Sequence, residues 1–153
     1  MLDVGGPQKG DTVLVSGAAG ATGSVAGQLA RIAGARVIGI AGGQDKCTWL
    51  TQELGFDAAI DYKSEDTAGR VAALCPGGID VYFDNVGGET LDAVLARINE
   101  RARLPICGQI SQYDAQADDE LYGIHNITNL LRKHATMIGF SVRNNMDMFD
   151  EFL

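Results

Sequence analysis

Proline, cysteine and histidine are scarce in this chain, and each scarcity closes a route. Three prolines in 153 residues leave little room for a polyproline linker or a low-complexity tail. The three cysteines, Cys47, Cys75 and Cys107, are scattered with no C-x-x-C pair. A disulfide scaffold is therefore unsupported, and a reducing compartment, the cytoplasm, is the expected setting. The two histidines, His125 and His134, lie far from those cysteines. No convincing trio of zinc ligands exists, and no metal is expected. No apolar run is long enough to span a bilayer, and the first residues do not form a charged-then-apolar signal, so no membrane partner is expected. Positive charge is short as well: 12 Lys and Arg stand against 20 Asp and Glu, for a net charge of −8. Such a surface repels nucleic acid, and any phosphate site must be local.

Glycine is abundant instead, with 20 residues in a chain that is otherwise ordinary at 46% apolar and 21% charged. Apolar runs separate the glycines, so tight turns and close backbone approaches explain them better than disorder. The length fits one domain, 1–153, with its own core. Short β-branched runs alternate with helix-like stretches. Strands are predicted over 12–16, 36–41, 58–60, 79–84, 103–107 and 136–142, with Pro105 an awkward occupant of the fifth. Helices are predicted over 23–33, 45–54, 66–74, 89–98 and 124–131, with another starting at Met146. Asp118, Asp119 and Glu120 read as a solvated loop. The alternation implies βαβ units: an α/β Rossmann fold, a doubly wound parallel sheet of about six strands with helices on both faces.

The most informative stretch is Ser16-Gly17-Ala18-Ala19-Gly20-Ala21-Thr22-Gly23-Ser24, directly after the first strand. Ala18 replaces the first glycine of G-x-G-x-x-G, whereas Gly20 and Gly23 keep the others. Read one step earlier, Gly17, Gly20 and Gly23 form G-x-x-G-x-x-G. A side chain at Gly20 would block a pyrophosphate, and one at Gly23 would hold the helix off the strand. The following helix offers free N–H groups and its positive dipole end to phosphates. A glycine turn alone can be purely structural, but strand before, helix after and strand next make it a dinucleotide site. NAD-binding domains usually place Asp or Glu at the tip of the second strand, about 20 residues past the glycines. Here that tip is Gly42, followed by Gly43, Gln44, Asp45 and Lys46. With no carboxylate at the tip and Lys46 in reach of a 2′-phosphate, NADP is favoured. The competing reading leaves Lys46 in solvent and gives the ribose to Asp45.

Other chemistries are argued against. No G-K-[ST] follows the glycines, so this is not a Walker loop. No G-x-S-x-G nucleophile elbow occurs, the nearest run being Gly23-Ser24-Val25-Ala26-Gly27. Tyr62, Tyr82, Tyr113 and Tyr122 all lack a lysine four residues on, which excludes the short-chain dehydrogenase acid–base pair.

Three stretches together, V-S-G-A-A-G-A-T-G-S at 15–24, F-D-N-V-G-G-E at 83–89 and I-C-G-Q-I-S-Q-Y at 106–113, resemble the prostaglandin reductase family. This is the leukotriene B4 12-hydroxydehydrogenase or alkenal double-bond reductase branch of the zinc-free medium-chain dehydrogenases. The resemblance runs over nearly the whole chain in order. It implies NADP(H) as cofactor and hydride delivery to the β-carbon of an α,β-unsaturated ketone or aldehyde. It implies phosphate contacts at Gly20, Ala21, Thr22 and Gly23, with Gly42 beside them. Lys46 and Tyr62 match positions that hold the adenosine 2′-phosphate, and Asn85 matches a cofactor-contacting asparagine. Cys107, Gly108, Gln109, Ile110, Ser111, Gln112 and Tyr113 match the loop beneath the nicotinamide, and Phe140, Ser141 and Val142 the strand end beside it. Tyr113 is the candidate for the chemistry, a fixed donor to the developing enolate oxygen.

Each assignment has a plainer rival. Tyr113 and Tyr62 could be packing aromatics, Asn85 a turn former, and Cys107 a small buried residue supplying backbone. Family members carry an N-terminal substrate domain and a C-terminal return segment that this sequence lacks. The chain is therefore expected to be the cofactor domain alone and a poor catalyst by itself. A quinone reductase of the same superfamily, disfavoured by I-S-Q-Y, and a non-catalytic NADPH-binding module are the alternatives. Medium-chain relatives pair through an outer strand, here 136–142, so a homodimer is expected there.

Overall fold

The computed structural model describes residues 1–115 and 121–141. In chain order the elements are α1 (Leu2–Gly5), β1 (Thr12–Val15), α2 (Ala21–Ile32), β2 (Arg36–Ala41), α3 (Gln44–Gln52), β3 (Ala58–Asp61) and α4 (Thr67–Leu74). After these come β4 (Ile79–Phe83), α5 (Gly88–Leu95), β5 (Ile98–Ile106), a 3-10 turn at Ile110–Gln112, α6 (Thr128–Arg132) and β6 (Thr136–Gly139). The sheet has six strands in the order β3-β2-β1-β4-β5-β6, and every pairing is parallel. This is the expected doubly wound Rossmann arrangement. Its chain reverses direction across the sheet between β1 and β4, and in such sheets the crevice for ligands lies at that reversal.

The strands are apolar on both faces because both are covered. Val13, Val15, Val37, Ala41, Val81 and Phe83 face α2 and α3, where Ala26, Ala30, Leu50 and Phe56 meet them. Leu14, Ile38, Ile40, Ile60 and Tyr82 face the other way, against Val71 of α4 and Leu91, Val94 and Leu95 of α5. Phe56 is 3% exposed and fills space left by two missing side chains. A Cβ at Gly27 would stand 2.7 Å from its Cε2, and one at Gly39 would stand 3.0 Å from its Cδ2.

Several expectations shift. The helix predicted over 23–33 starts at Ala21, because Gly20 already serves as its N-cap. The fifth strand begins at Ile98, not 103. Its register with β4 slips between the pairs Ile79–Ile98 and Val81–Arg103, and Arg101 sits at φ 60 in between. Pro105 is buried in this internal strand and still contributes, since its carbonyl accepts from Asp84 N–H at 3.0 Å. The helix predicted over 124–131 is shortened to Thr128–Arg132, and β6 ends at Gly139. The predicted acidic loop at 118–120 and the helix from Met146 lie outside the described residues, as does Val142.

Phe56→Ala should destabilise the chain by about 3–5 kcal/mol, since α2 and α3 cannot both close onto the emptied space. Urea unfolding of the two proteins checks this, and a loss well below that range would mean the helices collapse inward.

Candidate functional site

A cleft of about 340 Å³ opens at the carboxyl ends of β1, β2 and β4. It is lined by Gly17, Ala19, Gly20, Ala21, Thr22, Gly23, Ala41, Gly42, Lys46, Tyr62, Asn85, Val86 and Ile110. At one side, α2 begins with no side chain capping it, so its first N–H groups are available to an anion. Gly23 makes that geometry possible: a Cβ there would press on the Gly17 carbonyl and stand 2.9 Å from Ala18 Cα. The helix end therefore lies directly on the turn that precedes it.

The inner wall is a buried polar network. Asp84, with no exposed surface, accepts on Oδ1 from the Ser16 hydroxyl at 2.8 Å, the Tyr82 phenol at 2.7 Å, Val86 N–H at 2.9 Å and Gly87 N–H at 3.0 Å. Burial, followed by the Asp84 charge, pushes the Tyr82 phenol well above its usual range, so it serves as a neutral donor. Ser16 Oγ in turn accepts from Asn85 N–H at 2.8 Å, and the Asn85 amide donates to the Ser16 carbonyl at 2.7 Å. Asn85 is thereby fixed on the cleft wall.

At the opposite end the Tyr62 ring lies against Gly42. A Cβ on Gly42 would stand 2.8 Å from Tyr62 Cε1 and 2.9 Å from its Oη, so glycine at the tip of β2 is what seats the ring. Tyr62 is 55% exposed. Lys46, in the first turn of α3, is exposed beside it, and no carboxylate pairs with it among the described residues. Asp61, at the end of β3, accepts from Gly43 N–H at 2.7 Å, from Lys63 N–H at 3.1 Å and from the Ser64 hydroxyl at 2.8 Å. Led by Gly43 N–H, these bonds hold its carboxyl below the usual range.

The loop after β5 closes the third side. Cys107 and Gly108 N–H donate to the Asp84 carbonyl at 2.8 and 3.1 Å. Burial pushes the Cys107 thiol up, which lowers its thiolate fraction. Ile110 reaches the cleft, and Ser111 Oγ donates to the Val86 carbonyl at 2.6 Å. Tyr113 is 66% exposed, and its hydroxyl accepts from Gln109 N–H at 3.1 Å, which leaves the phenolic proton uncommitted by that bond. Gln112 Oε1 accepts from Tyr122 N–H at 2.7 Å. Tyr122 OH, His125 N–H and Asn126 N–H all donate to Asp92 of α5, at 3.1, 3.0 and 2.7 Å. Burial alone would raise Asp92, but these donors outweigh it and hold the carboxyl low.

Of the residues singled out from sequence, Gly20, Ala21, Thr22, Gly23, Gly42, Lys46, Tyr62, Asn85 and Ile110 line one cleft. Cys107, Gly108, Gln109, Ser111 and Tyr113 form the adjoining loop and are not among its lining residues. Phe140 follows β6, with its N–H on the Ile106 carbonyl at 2.8 Å, and Ser141 comes next. Sequence reasoning missed Ala19, Ala41 and Val86 on the cleft wall and the Ser16–Tyr82–Asp84 network behind it. The only hint of the network was polar residues ending two apolar strands. Among the described residues no three His, Cys, Asp or Glu side chains are grouped to hold a metal ion, and no helix is long and apolar enough to cross a membrane.

A family model described as zinc-binding dehydrogenase matches residues 21–153. The NADPH-dependent curcumin reductase of Escherichia coli is 46% identical over 115 residues, covering 75% of this chain and 33% of that protein. The NADP(+)-dependent 2-alkenal reductase of Nicotiana tabacum is 41% identical over 152 residues, 99% of this chain and 43% of that protein. The crystal structure of CurA in complex with NADPH from Vibrio vulnificus superposes with a TM-score of 0.91 at 45% identity, covering 99% of this chain and 46% of that one. The chain thus spans less than half the length of these relatives.

Asp61 and Asp92 are both held low in the folded state. The stability they confer is complete above the ordinary Asp value, about 3.9, and is lost as pH falls through their lower folded values. Urea midpoints measured from pH 6 to 3 should stay level to about pH 4 and then drop. The drop should be shallower in Asp92→Asn, and an equal drop in that variant would deny Asp92 its share.

Proposed function

This chain belongs to the zinc-binding dehydrogenase family, and we propose that it is the NADPH-holding part of an oxidoreductase acting on carbon–carbon double bonds of α,β-unsaturated ketones and aldehydes. The observation that carries this reading is the adenosine end of the cleft. A lysine and a tyrosine converge there over glycines, where an NAD site would place a carboxylate at the strand tip. The NADPH-dependent curcumin reductase and the alkenal reductase among its relatives support both cofactor and substrate class.

The residues fit the dinucleotide. Ala21, Thr22 and Gly23 present N–H groups and a helix dipole to the pyrophosphate, and Gly20, whose own N–H is on the Gly17 carbonyl at 3.0 Å, leaves it room to approach. Lys46 supplies a cation for the 2′-phosphate, Tyr62 a ring beside it over Gly42, and Asn85 a polar contact on the inner wall. The loop of Cys107, Gly108, Gln109, Ile110 and Ser111, with Phe140 and Ser141, borders the nicotinamide end. When bound, NADPH supplies the hydride that goes to the β-carbon of the substrate. Tyr113 donates a hydrogen bond to the carbonyl oxygen on which charge then develops, and no side-chain nucleophile is required. The three free cysteines fit a reducing compartment, the cytoplasm. A second copy pairs along β6, an edge strand of the sheet, where Met137 and Ile138 are 38% and 43% exposed.

Calorimetric titration with NADPH, NADP and NAD tests the reading. NADPH should bind in preference to NAD, and Lys46→Ala should weaken NADPH by about tenfold or more while sparing NAD. A folded chain that binds none of the three would sink the proposal. Tyr113→Phe should keep NADPH affinity yet lower any enone turnover by about a hundredfold, the usual loss for one oxyanion donor.

A further inference from the structure

On the NADPH reading, selectivity depends on where Lys46 and Tyr62 stand relative to each other, and a side chain outside the cleft lining fixes both. Asp61 closes β3 directly across from Ala41 at the end of β2. Its Oδ1 accepts from Gly43 N–H at 2.7 Å and from Lys63 N–H at 3.1 Å. Gly43 follows the Gly42 seat and precedes α3, whose first turn carries Lys46. Lys63 follows Tyr62. One carboxylate oxygen therefore holds the backbone on both sides of the phosphate-facing pair. Gly43 is kept at φ 105, and Tyr62 N–H reaches the Ala41 carbonyl at 3.1 Å.

We propose that Asp61 is a positioning residue that sets the preference for the 2′-phosphorylated dinucleotide, by clamping the Gly43 and Lys63 peptides so that the Lys46 ammonium and the Tyr62 ring meet the phosphate together. The inference rests on the NADPH reading above. Asp61 is itself 7% exposed, and its second oxygen is occupied by the Ser64 hydroxyl at 2.8 Å. It is thus not placed to accept from a ribose 2′-hydroxyl, as an acidic residue at the tip of β2 does in an NAD site. Its charge is offset by three donors, which limits its repulsion of a nearby phosphate. The clamp acts at one end of the ligand only. The α2 N-terminus, Asn85 and the loop after β5 share none of its hydrogen-bond partners, so its loss should be felt by the 2′-phosphate and hardly by the pyrophosphate.

The test is a set of NADPH and NADH titrations on the wild-type chain, Asp61→Ala and Asp61→Asn, with thermal unfolding of each. Asp61→Ala should weaken NADPH about tenfold and NADH by no more than about twofold, the difference expected when a charge-assisted contact is misplaced. Asp61→Asn keeps an oxygen able to accept both N–H groups and should restore the wild-type ratio. Should Asp61→Ala fail to fold, Asp61→Ser, too short to bridge both peptides, takes its place with the same expectation. Equal weakening of the two dinucleotides would reduce Asp61 to a structural role and overturn the inference. An unchanged ratio, or an Asn variant that behaves like Ala, would overturn it too. Failure of the wild type to bind either dinucleotide would instead bring down the NADPH reading, and the inference with it.

Discussion

One carboxylate oxygen, Asp84 Oδ1, takes four hydrogen bonds at the place where β1 and β4 lie side by side. A carboxylate with no exposed surface is tolerated only where donors replace the water it has lost. Here the donors come from the end of β1, from β4 itself and from the turn that follows it. Ser16 then passes the constraint on, because its hydroxyl donates to Asp84 while its oxygen accepts from Asn85. The main-chain N–H and carbonyl of Asp84 are engaged as well, with Pro105, Cys107 and Gly108 of the neighbouring strand and loop. The turn after β1, the turn after β4 and the loop after β5 are thus tied to one residue.

The two ends of the cleft are consequently built on different principles. The inner end is closed around Asp84, whose Oδ1 takes four donors while its Oδ2 is buried with no hydrogen-bond partner, and its bonded groups cannot move without stranding a buried partner. The end beside Gly42 is open: Lys46 and the Tyr62 ring stand in solvent, where a single ion pair contributes little. Discrimination at such a place must come from where groups are held more than from how strongly any one of them attracts. The rigid backbone beneath them, not the side chains alone, then carries the specificity.

Much of this was legible in the residues. β1 to β4 fall within a residue or two of their predicted bounds, because strands covered on both faces read as plain apolar runs. The glycine turn and Lys46 were found because each belongs to a local pattern, whereas Tyr62 and Asn85 came from the family resemblance. What escaped depends on distant partners. Ile98-Asn99-Glu100-Arg101 looks polar and unlike a strand, and Arg101 is held by the Lys133 carbonyl, far along the chain. The helix expected from Ile124 starts only at Thr128, and the residues before it are pinned by His125 and Asn126 N–H to Asp92, more than thirty residues back in the chain. The Ser16–Tyr82–Asp84 network was invisible for the same reason: no local pattern says which strand-end hydroxyl will meet which carboxylate.

The strand order also has a consequence in time. β1 lies near the middle of the sheet, yet β4 on its inner side is separated from it by some 68 residues of chain, as the Ser16–Asp84 bond shows. Any sheet made of β1, β2 and β3 before β4 arrives would leave the apolar β1 as an open edge. Such an edge invites pairing with other chains, and parallel closure over a long loop is slow. Docking of β4 is what removes that edge, by giving β1 its second neighbour.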